Sequence, residues 1–205
     1  MHIYLVRHAL TNHNKKRFIK DDNKDCALSS DGIAQTLALK RTLSRCCFPN
    51  RVYVAPAKRC QQTASLLFPR LSRHFITAEE SREIDKGFER FLKQNPSLGQ
   101  MTAGKWKSIY INTSNPVELS KFVYPSGESI NKLYKRVIIT FKRIIKESYN
   151  KDILIIGHNG PLRSIVTYIL GGKSKTYHTI SIEQGTYSEI IYERGVFRLA
   201  RINSK

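Results

Sequence analysis

Two short apolar runs in this chain each lead into a histidine, and this repeated arrangement constrains the fold more than any other feature. The first run, residues 3–6, is followed by Arg7 and His8, and the second, residues 153–156, is followed after one glycine by His158. Apolar residues at helical spacing come directly after the second histidine, so the pattern predicts a strand and then a helix. In an open α/β sheet the ligand site lies beyond the carboxyl ends of the strands. The two histidines are therefore expected to lie close together at that edge.

The helix predicted after His158 makes this edge suitable for an anion. Its first N–H groups and the positive end of its dipole would point toward the site. An arginine beside a histidine in a loop is more often an ordinary polar pair, and it is the second unit that favours a functional interpretation. A neutral imidazole nitrogen of His8 can attack phosphorus, provided that its other nitrogen donates to a backbone carbonyl that fixes the tautomer.

Hydrophobic patterning predicts an α/β fold with a doubly wound, mostly parallel central sheet flanked by helices. Short runs rich in β-formers predict strands at residues 3–6, 51–54, 74–77, 153–156 and 188–192. Helical periodicity predicts helices, besides the one after the second histidine, at residues 30–46 with Ser30 or Asp31 as cap, 57–68, and 128 to about 149.

The region from residue 88 to residue 124 breaks this alternation. It contains the helix breakers Pro96, Gly99, Gly104 and Pro116, and we interpret it as a small helical cap inserted into the domain. The chain as a whole, residues 1–205, is expected to form a single domain with one such insertion.

The composition excludes several classes of protein. Of the 205 residues, 40% are hydrophobic, which suffices for a core and is too high for a disordered chain. No apolar run approaches the ~20 residues that cross a bilayer, and the start of the chain lacks the features of a signal peptide. Four cysteines without a Cys-x-x-Cys spacing and six histidines without a His-x-x-x-His pattern indicate neither a disulfide framework nor a metal site. We expect a cytoplasmic protein with no membrane partner, no metal and no cofactor.

The net charge of +19 would suit polyanionic partners, nucleic acid among them. However, basic segments such as residues 105–107 and 132–146 alternate with apolar residues at helical spacing, which is typical of ordinary exposed faces. A nucleic acid partner is therefore disfavoured, while residues 15–20 are candidates for the mouth of the site.

Six segments in chain order resemble motifs of the histidine phosphatase superfamily, the phosphoglycerate mutase-like phosphatases and mutases. Arg7, His8, Thr11 and Asn14 match a strand followed by Arg-His-Gly-x-Thr-x-x-Asn. The other five segments are residues 25–35, 52–64, 82–87, 124–129 and 157–163. Ala9 stands where the family has glycine, and a positive φ at this position would strain the loop.

This resemblance implies a phosphatase, a phosphomonoester hydrolase that acts on a small phosphorylated metabolite through a phosphohistidine on His8. Glu83 is implied as the proton donor to the leaving group, with Asp85 as a competing acid and Glu128 as a helix-start carboxylate. The further catalytic residues that it implies are Arg7, Arg59 and His158. The substrate-binding residues that it implies are Arg7, Asn14, Arg59, His158 and Asn159.

Two alternatives stay open at this point. A phosphoglycerate-type mutase must hold both phosphorylated ends of its substrate, and the short chain favours hydrolysis instead. A weakly active module that binds a phosphorylated ligand or nucleic acid would use the basic pocket, but it would not need the acid at Glu83. The resemblance implies neither a metal nor a cofactor, and the oligomeric state, monomer or homodimer, is left open.

Overall fold

The computed structural model describes residues 1–12, 26–95 and 116–205. Strands in this part of the chain form one sheet, and they are β1 (His2–Arg7), β2 (Arg51–Val54), β3 (Phe75–Thr77), β4 (Ile153–Gly157), β5 (Tyr187–Glu193) and β6 (Val196–Ser204). Their order across the sheet is β3-β2-β4-β1-β5-β6. The first four strands in this order are parallel, whereas β5 is antiparallel to β1 and β6 is antiparallel to β5. The predicted mostly parallel sheet is confirmed.

The last strand, β6, is not predicted by the sequence. Its residues are all exposed or only partly buried, because an edge strand pairs on one side only and needs no apolar run. It is joined to β5 by a two-residue turn at Arg194 and Gly195, both of which have positive φ. Two such residues are typical of the type I′ turn of a β-hairpin.

The helices with described bounds are α1 (Ser30–Leu43), α2 (Lys58–Leu67), α3 (Phe88–Gln94), α4 (Pro116–Lys121), α5 (Ile130–Glu147) and α6 (Asn159–Ile169). Ser29 caps α1 by accepting a hydrogen bond from the Gly32 N–H at 3.1 Å, so the prediction of Ser30 or Asp31 as the cap is wrong. Ser129 caps α5 in the same way. Both helices are shorter than predicted, because the serine at each start and a turn at each end set the limits that periodicity alone does not show.

The sheet is covered on both faces. Ile3 and Leu5 of β1 belong to a core that includes the apolar face of α5 and part of α6. Tyr4 and Val6, which alternate with them, belong to a second core with α1 and α2. The residues predicted for the apolar face of α5 are all buried, namely Ile130, Leu133, Val137, Phe141, Ile144 and Ile145. This alternation along one strand is what a doubly wound sheet requires.

The carboxyl ends of the central parallel strands lie side by side. Arg7 at the end of β1 is paired with Gly157 at the end of β4. The pairing continues one residue further, since the N–H of His8 donates to the carbonyl of Gly157 at 3.0 Å. The N–H of Ala55, just after β2, donates to the carbonyl of Ile156 at 2.9 Å. The loops after β1, β2 and β4 therefore start from one edge.

Gly32 in α1 allows the loop after His8 to pack closely on that helix. A Cβ atom at Gly32 would overlap the carbonyl oxygen of Leu10, so only glycine fits. The N–H of Leu10 in turn donates to Gln35 Oε1 at 3.2 Å. Gly32 and Gln35 of the segment at residues 25–35 thus support the loop that carries the first histidine.

Two short helices, α3 and α4, lie within the region predicted as a cap. Residues 96–115 between them are outside the described part of the chain. Among the described helices, none has the length and apolar character needed to cross a membrane.

Candidate active site

His8 is held as a neutral imidazole with one defined tautomer. Its ring is 5% exposed, and its Nδ1 lies 2.8 Å from the carbonyl oxygen of Ala9. A carbonyl can only accept, so Nδ1 carries the proton and Nε2 keeps its lone pair. Burial lowers the pKa of His8 well below its usual value of 6.5, and the neighbouring His158, Arg59 and Arg7 lower it further. The imidazole is therefore uncharged at neutral pH.

His158 places a second neutral imidazole beside the first. It is the N-cap residue of α6, and its ring centroid lies 5.2 Å from that of His8. Arg59 Nη2 donates to His158 Nδ1 at 3.2 Å, which leaves the ring proton on Nε2. Burial lowers the pKa of His158 well below 6.5, with Arg59 and Arg7 adding to the effect. His158 is consequently a neutral donor through Nε2, which lies 3.5 Å from the sulfur of Cys60.

Two guanidinium groups accompany the histidines. Arg59 is 5% exposed and stands in the first turn of α2, directly beyond the end of β2. Arg7 is the last residue of β1, and its Nη1 donates to the carbonyl of Ile182 at 2.6 Å. The sheet edge thus supplies positive charge beside imidazoles that are themselves neutral.

Glu83 lies at the start of the helix that His158 caps. Its carboxylate accepts from the N–H of Gly160, at 3.1 Å to Oε1 and 3.3 Å to Oε2, and from the N–H of Ile84 at 2.9 Å. A Cβ atom at Gly160 would overlap Glu83 Oε1, so glycine allows this close approach. These backbone N–H groups fix the position of the Glu83 side chain beside the first turn of α6.

Comparison with known proteins is consistent with this geometry. The chain matches the histidine phosphatase superfamily (branch 1) over residues 3–205. It belongs to that superfamily. The resemblance of the six sequence segments is therefore confirmed.

Three relatives illustrate the range of this superfamily around the chain. Phosphoserine phosphatase 1 of Hydrogenobacter thermophilus is 24% identical over 200 residues, which cover 93% of this chain and 86% of the relative. The adenosylcobalamin/alpha-ribazole phosphatase of Salmonella typhimurium is 23% identical and covers 100% and 97% of the two chains. A variant phosphoserine phosphatase from Entamoeba histolytica, solved in complex with phosphoserine, has a TM-score of 0.77 at 19% identity, covering 99% of this chain and 96% of that one.

Ala9 replaces the glycine of the histidine phosphatase motif without strain. The described residues other than glycine that have positive φ are Ser126, Asn150, Arg194 and Asn203, so Ala9 does not adopt the conformation that favours glycine. Its side chain is fully buried. The condition for strain at this position, a positive φ, is therefore not met.

The two acids that compete with Glu83 have other partners. Asp85 accepts from the N–H of Gly87 at 2.9 Å and from Arg90 Nη2 at 2.5 Å, so it shapes the loop after Glu83. Glu128 lies before the first turn of α5 and pairs with Arg136, at 2.6 Å between Oε1 and Nη2. The interpretation of Glu128 as a helix-start carboxylate is therefore wrong, because a buried ion pair satisfies it instead.

Arg136 is a residue that the sequence analysis missed. Besides binding Glu128, its guanidinium donates to the carbonyl oxygens of Glu80, Arg82 and Glu83, at 3.0 Å for Arg82 and 3.2 Å for Glu83. One buried cation on α5 therefore fixes the backbone that carries Glu83. Nothing in the local sequence marks it, since it is one basic residue among many on an amphipathic helix.

The remaining predicted residues are only partly described. Asn14 and the basic residues 15–20 lie outside the described part of the chain. Asn159 is half-buried beside Gly160, and its Oδ1 is buried with no hydrogen-bond partner. Within the described ranges, no group of histidine, cysteine or acidic side chains is arranged to hold a metal ion.

Replacing Arg136 with methionine is expected to destabilise the fold by about 3–5 kcal/mol, because it leaves the buried Glu128 carboxylate unpaired. Urea unfolding measures this loss. Arg143 on the same helix is a matched control, since its ion pair with Glu147 is exposed and the two atoms lie 3.9 Å apart. Arg143→Met should cost less than about 1 kcal/mol. Equal losses for the two variants would contradict the role of Arg136.

The stability of the fold is expected to fall as the pH drops below about 6.5. The pKa of His8 and that of His158 are lowered in the folded chain, so in this range the unfolded chain binds more protons. The free energy of unfolding therefore decreases as the pH falls. Each histidine contributes a slope of up to about 1.4 kcal/mol per pH unit.

Unfolding measurements between about pH 6.5 and 5 test this slope. His8→Asn keeps a donor for the Ala9 carbonyl. It should reduce the slope of the unfolding free energy against pH by the contribution of one histidine. His74→Asn is the control, because His74 is exposed. If His8→Asn leaves this slope unchanged, the pKa of His8 is not lowered in the folded chain.

Proposed function

We propose that this protein is a phosphomonoesterase that works through a phosphohistidine on His8 and acts on a small phosphorylated metabolite. The observation that carries the proposal is the hydrogen bond from His8 Nδ1 to the Ala9 carbonyl, 2.8 Å long, together with the lowered pKa of His8. With the ring proton on Nδ1, the Nε2 nitrogen of His8 is unprotonated, as a nucleophile must be. The superfamily and its phosphatase relatives support phosphatase activity on a small phosphate ester.

The proposed reaction has two displacements at phosphorus. In the first, His8 Nε2 attacks phosphorus while the bond to the leaving oxygen breaks, and that oxygen takes the proton of Glu83. In the second, a water oxygen attacks phosphorus while the phosphorus–nitrogen bond breaks, and Glu83 takes a proton from the water. Inorganic phosphate leaves, and both side chains return to their starting states. No metal takes part in either step.

The surroundings of His8 suit the charge that develops in these steps. When Nε2 bonds to phosphorus, the ring becomes positive and its Nδ1–H stays hydrogen-bonded to the Ala9 carbonyl. We assign the phosphoryl oxygens to Arg7, Arg59 and the Nε2–H of His158, as preorganised donors. Asn14 and Asn159 are proposed as further substrate-binding residues.

We further propose that residues 1–205 form one domain with a cap insertion at about residues 88–124. The four cysteines are free, which supports a reducing cytoplasmic location.

Replacing His8 with alanine is expected to lower phosphate release from p-nitrophenyl phosphate by at least about 10³-fold, because the nucleophile is lost. The assay is run with EDTA, which should leave the wild-type rate unchanged. Brief incubation with ³²P-labelled substrate should give an acid-labile phosphoenzyme in the wild type and none in His8→Ala.

Two other results would overturn the proposal. Isomerisation of phosphoglycerate without phosphate release would indicate a mutase. Salt-sensitive binding of RNA or a phosphorylated ligand, with no release from any ester, would indicate a binding module.

Replacing Glu83 with glutamine is expected to lower kcat/KM for an alkyl phosphate by about 10²- to 10⁴-fold, since the alkoxide must be protonated as it leaves. The loss should be much smaller for p-nitrophenyl phosphate, whose phenolate leaves without a proton. Asp85→Asn serves as the matched control and should not change the ratio between the two substrates. A ratio that changes in Asp85→Asn and not in Glu83→Gln would assign the acid to Asp85.

A further inference from the structure

We propose that the edge of the sheet opposite the candidate active site is a docking surface for an anionic lipid bilayer. In this interaction the exposed rings of Phe48 and Tyr149 enter the interface of the bilayer, and basic side chains beside them bind lipid phosphates. The inference goes beyond the proposed function and does not depend on it.

Two loops lie side by side at the amino-terminal edge of the parallel strands, one before β2 and one before β4. The N–H of Asn50 donates to the carbonyl of Asp152 at 2.8 Å, and the N–H of Asp152 donates to Asn50 Oδ1 at 2.9 Å. Phe48 belongs to the first loop and Tyr149 to the second. Hydrogen bonding thus brings together the two loops that carry these aromatic residues.

Both rings are exposed, although the backbone beside each of them is anchored in the core. Phe48 is 72% exposed and Tyr149 is 68% exposed. The residues that precede them, Cys47 and Ser148, are buried, and the hydroxyl groups of Ser148 and Tyr53 are hydrogen-bonded at 2.8 Å. Aromatic side chains held outward in this way are favoured at the interface between a bilayer and water.

Basic side chains outnumber acidic ones on the same stretches of chain. The basic residues within residues 44–51 and 146–152 are Arg45, Arg51, Lys146 and Lys151. The two acids there already have partners, since Asp152 accepts from the N–H of His2 at 2.6 Å and Glu147 lies 3.9 Å from Arg143. Each lysine or arginine near an anionic membrane strengthens binding, so the charge at this edge is complementary to anionic lipid.

The β5–β6 hairpin adds an aliphatic side chain at the same edge. The N–H of Tyr192 donates to the carbonyl of Met1 at 3.0 Å, so the turn at Arg194 and Gly195 extends past the start of β1. Val196, directly after this turn, is 66% exposed. An aliphatic side chain cannot stack on a nucleic acid base, and a second copy of the chain would bring the same positive charge. A bilayer accommodates both the apolar and the basic side chains.

This edge lies away from the candidate active site. The strand β4 has five residues and therefore separates the two edges by about 16 Å. A bilayer bound at the amino-terminal edge leaves the histidines open to substrates in water. The expectation of no membrane partner rests on the lack of an apolar run that crosses a bilayer, and a contact at the surface requires no such run.

Vesicle binding tests this inference. The full chain should co-sediment with vesicles of about 30% phosphatidylglycerol in phosphatidylcholine, and not with vesicles of phosphatidylcholine alone. Raising the NaCl concentration from about 0.15 M to about 1 M should weaken binding, because salt screens the attraction.

The double variant Phe48→Ser, Tyr149→Ser should bind the anionic vesicles about 10-fold or more weakly, since the apolar contact is lost. Ile139→Ser is the matched control, because Ile139 is 71% exposed on the middle of α5. It should leave vesicle binding unchanged. Urea unfolding confirms that each variant is folded, as expected for changes of exposed side chains.

A second comparison separates this surface from the overall charge of the chain. Lys146→Gln with Lys151→Gln should weaken vesicle binding by about 5- to 30-fold. Lys132→Gln with Lys135→Gln removes the same charge from exposed positions at the other end of α5, and it should change binding by less than about 2-fold.

The inference is overturned if the chain does not bind the anionic vesicles, or if the two lysine pairs weaken binding equally. It is also overturned if the Phe48 and Tyr149 variant binds as the wild type does, or if Ile139→Ser weakens binding as much. Loss of single-stranded RNA binding in that aromatic variant, when the wild type binds RNA and no vesicles, would assign the surface to nucleic acid instead. None of these results depends on phosphate release, so a failure of the proposed function is recognised separately in the p-nitrophenyl phosphate assay.

Discussion

The parallel pairing of β1 with β4 is the constraint on which the rest of the site depends. Arg7 is in register with Gly157, and the hydrogen bond from the His8 N–H to the Gly157 carbonyl extends the ladder beyond the strand ends. A slip of one residue would turn every side chain of the strand to the opposite face. It would exchange the two cores on which β1 packs and move His8 away from His158. The register is therefore set by core packing, and the site follows from it.

Burial and the positive charges of the site keep the imidazole of His8 neutral. His8 and His158 are buried beside two guanidinium groups, and protonating either ring would add a third cation to a buried site. In the proposed reaction, the same cations stabilise the phosphoryl group. The carboxylate of Glu83 is kept on the other side, at backbone N–H groups of α6. In the proposed reaction, the cations bind the phosphoryl oxygens and Glu83 protonates the leaving group.

The sequence predicts the parts of this arrangement that depend on local pattern. The strands that deliver His8 and His158, the sheet edge at which they meet and the apolar face of α5 all follow from runs of apolar residues. The parts it does not predict depend on contacts between distant segments. Arg136 contacts the carbonyl of Glu83, 53 positions away in sequence, and Gln35 contacts Leu10, 25 positions away. Edge strand β6 was missed for a different reason, since its exposed residues give no apolar signal.

The chain combines a large net positive charge with few acidic residues, and several of these acids are engaged in ion pairs. Several of the 16 acidic residues have structural partners: Glu128 pairs with Arg136, Asp85 with Arg90, and Glu189 with Arg201. Lysines on α5, such as Lys132 and Lys146, remain exposed. At physiological salt, exposed charges are screened within about 8 Å, and the charges that lower the pKa of His8 belong to Arg59, Arg7 and His158 and not to these lysines. In the proposed function, binding of the phosphate ester therefore depends on the guanidinium groups of Arg7 and Arg59 at the sheet edge, and the overall charge of the chain is a poor guide to its ligand.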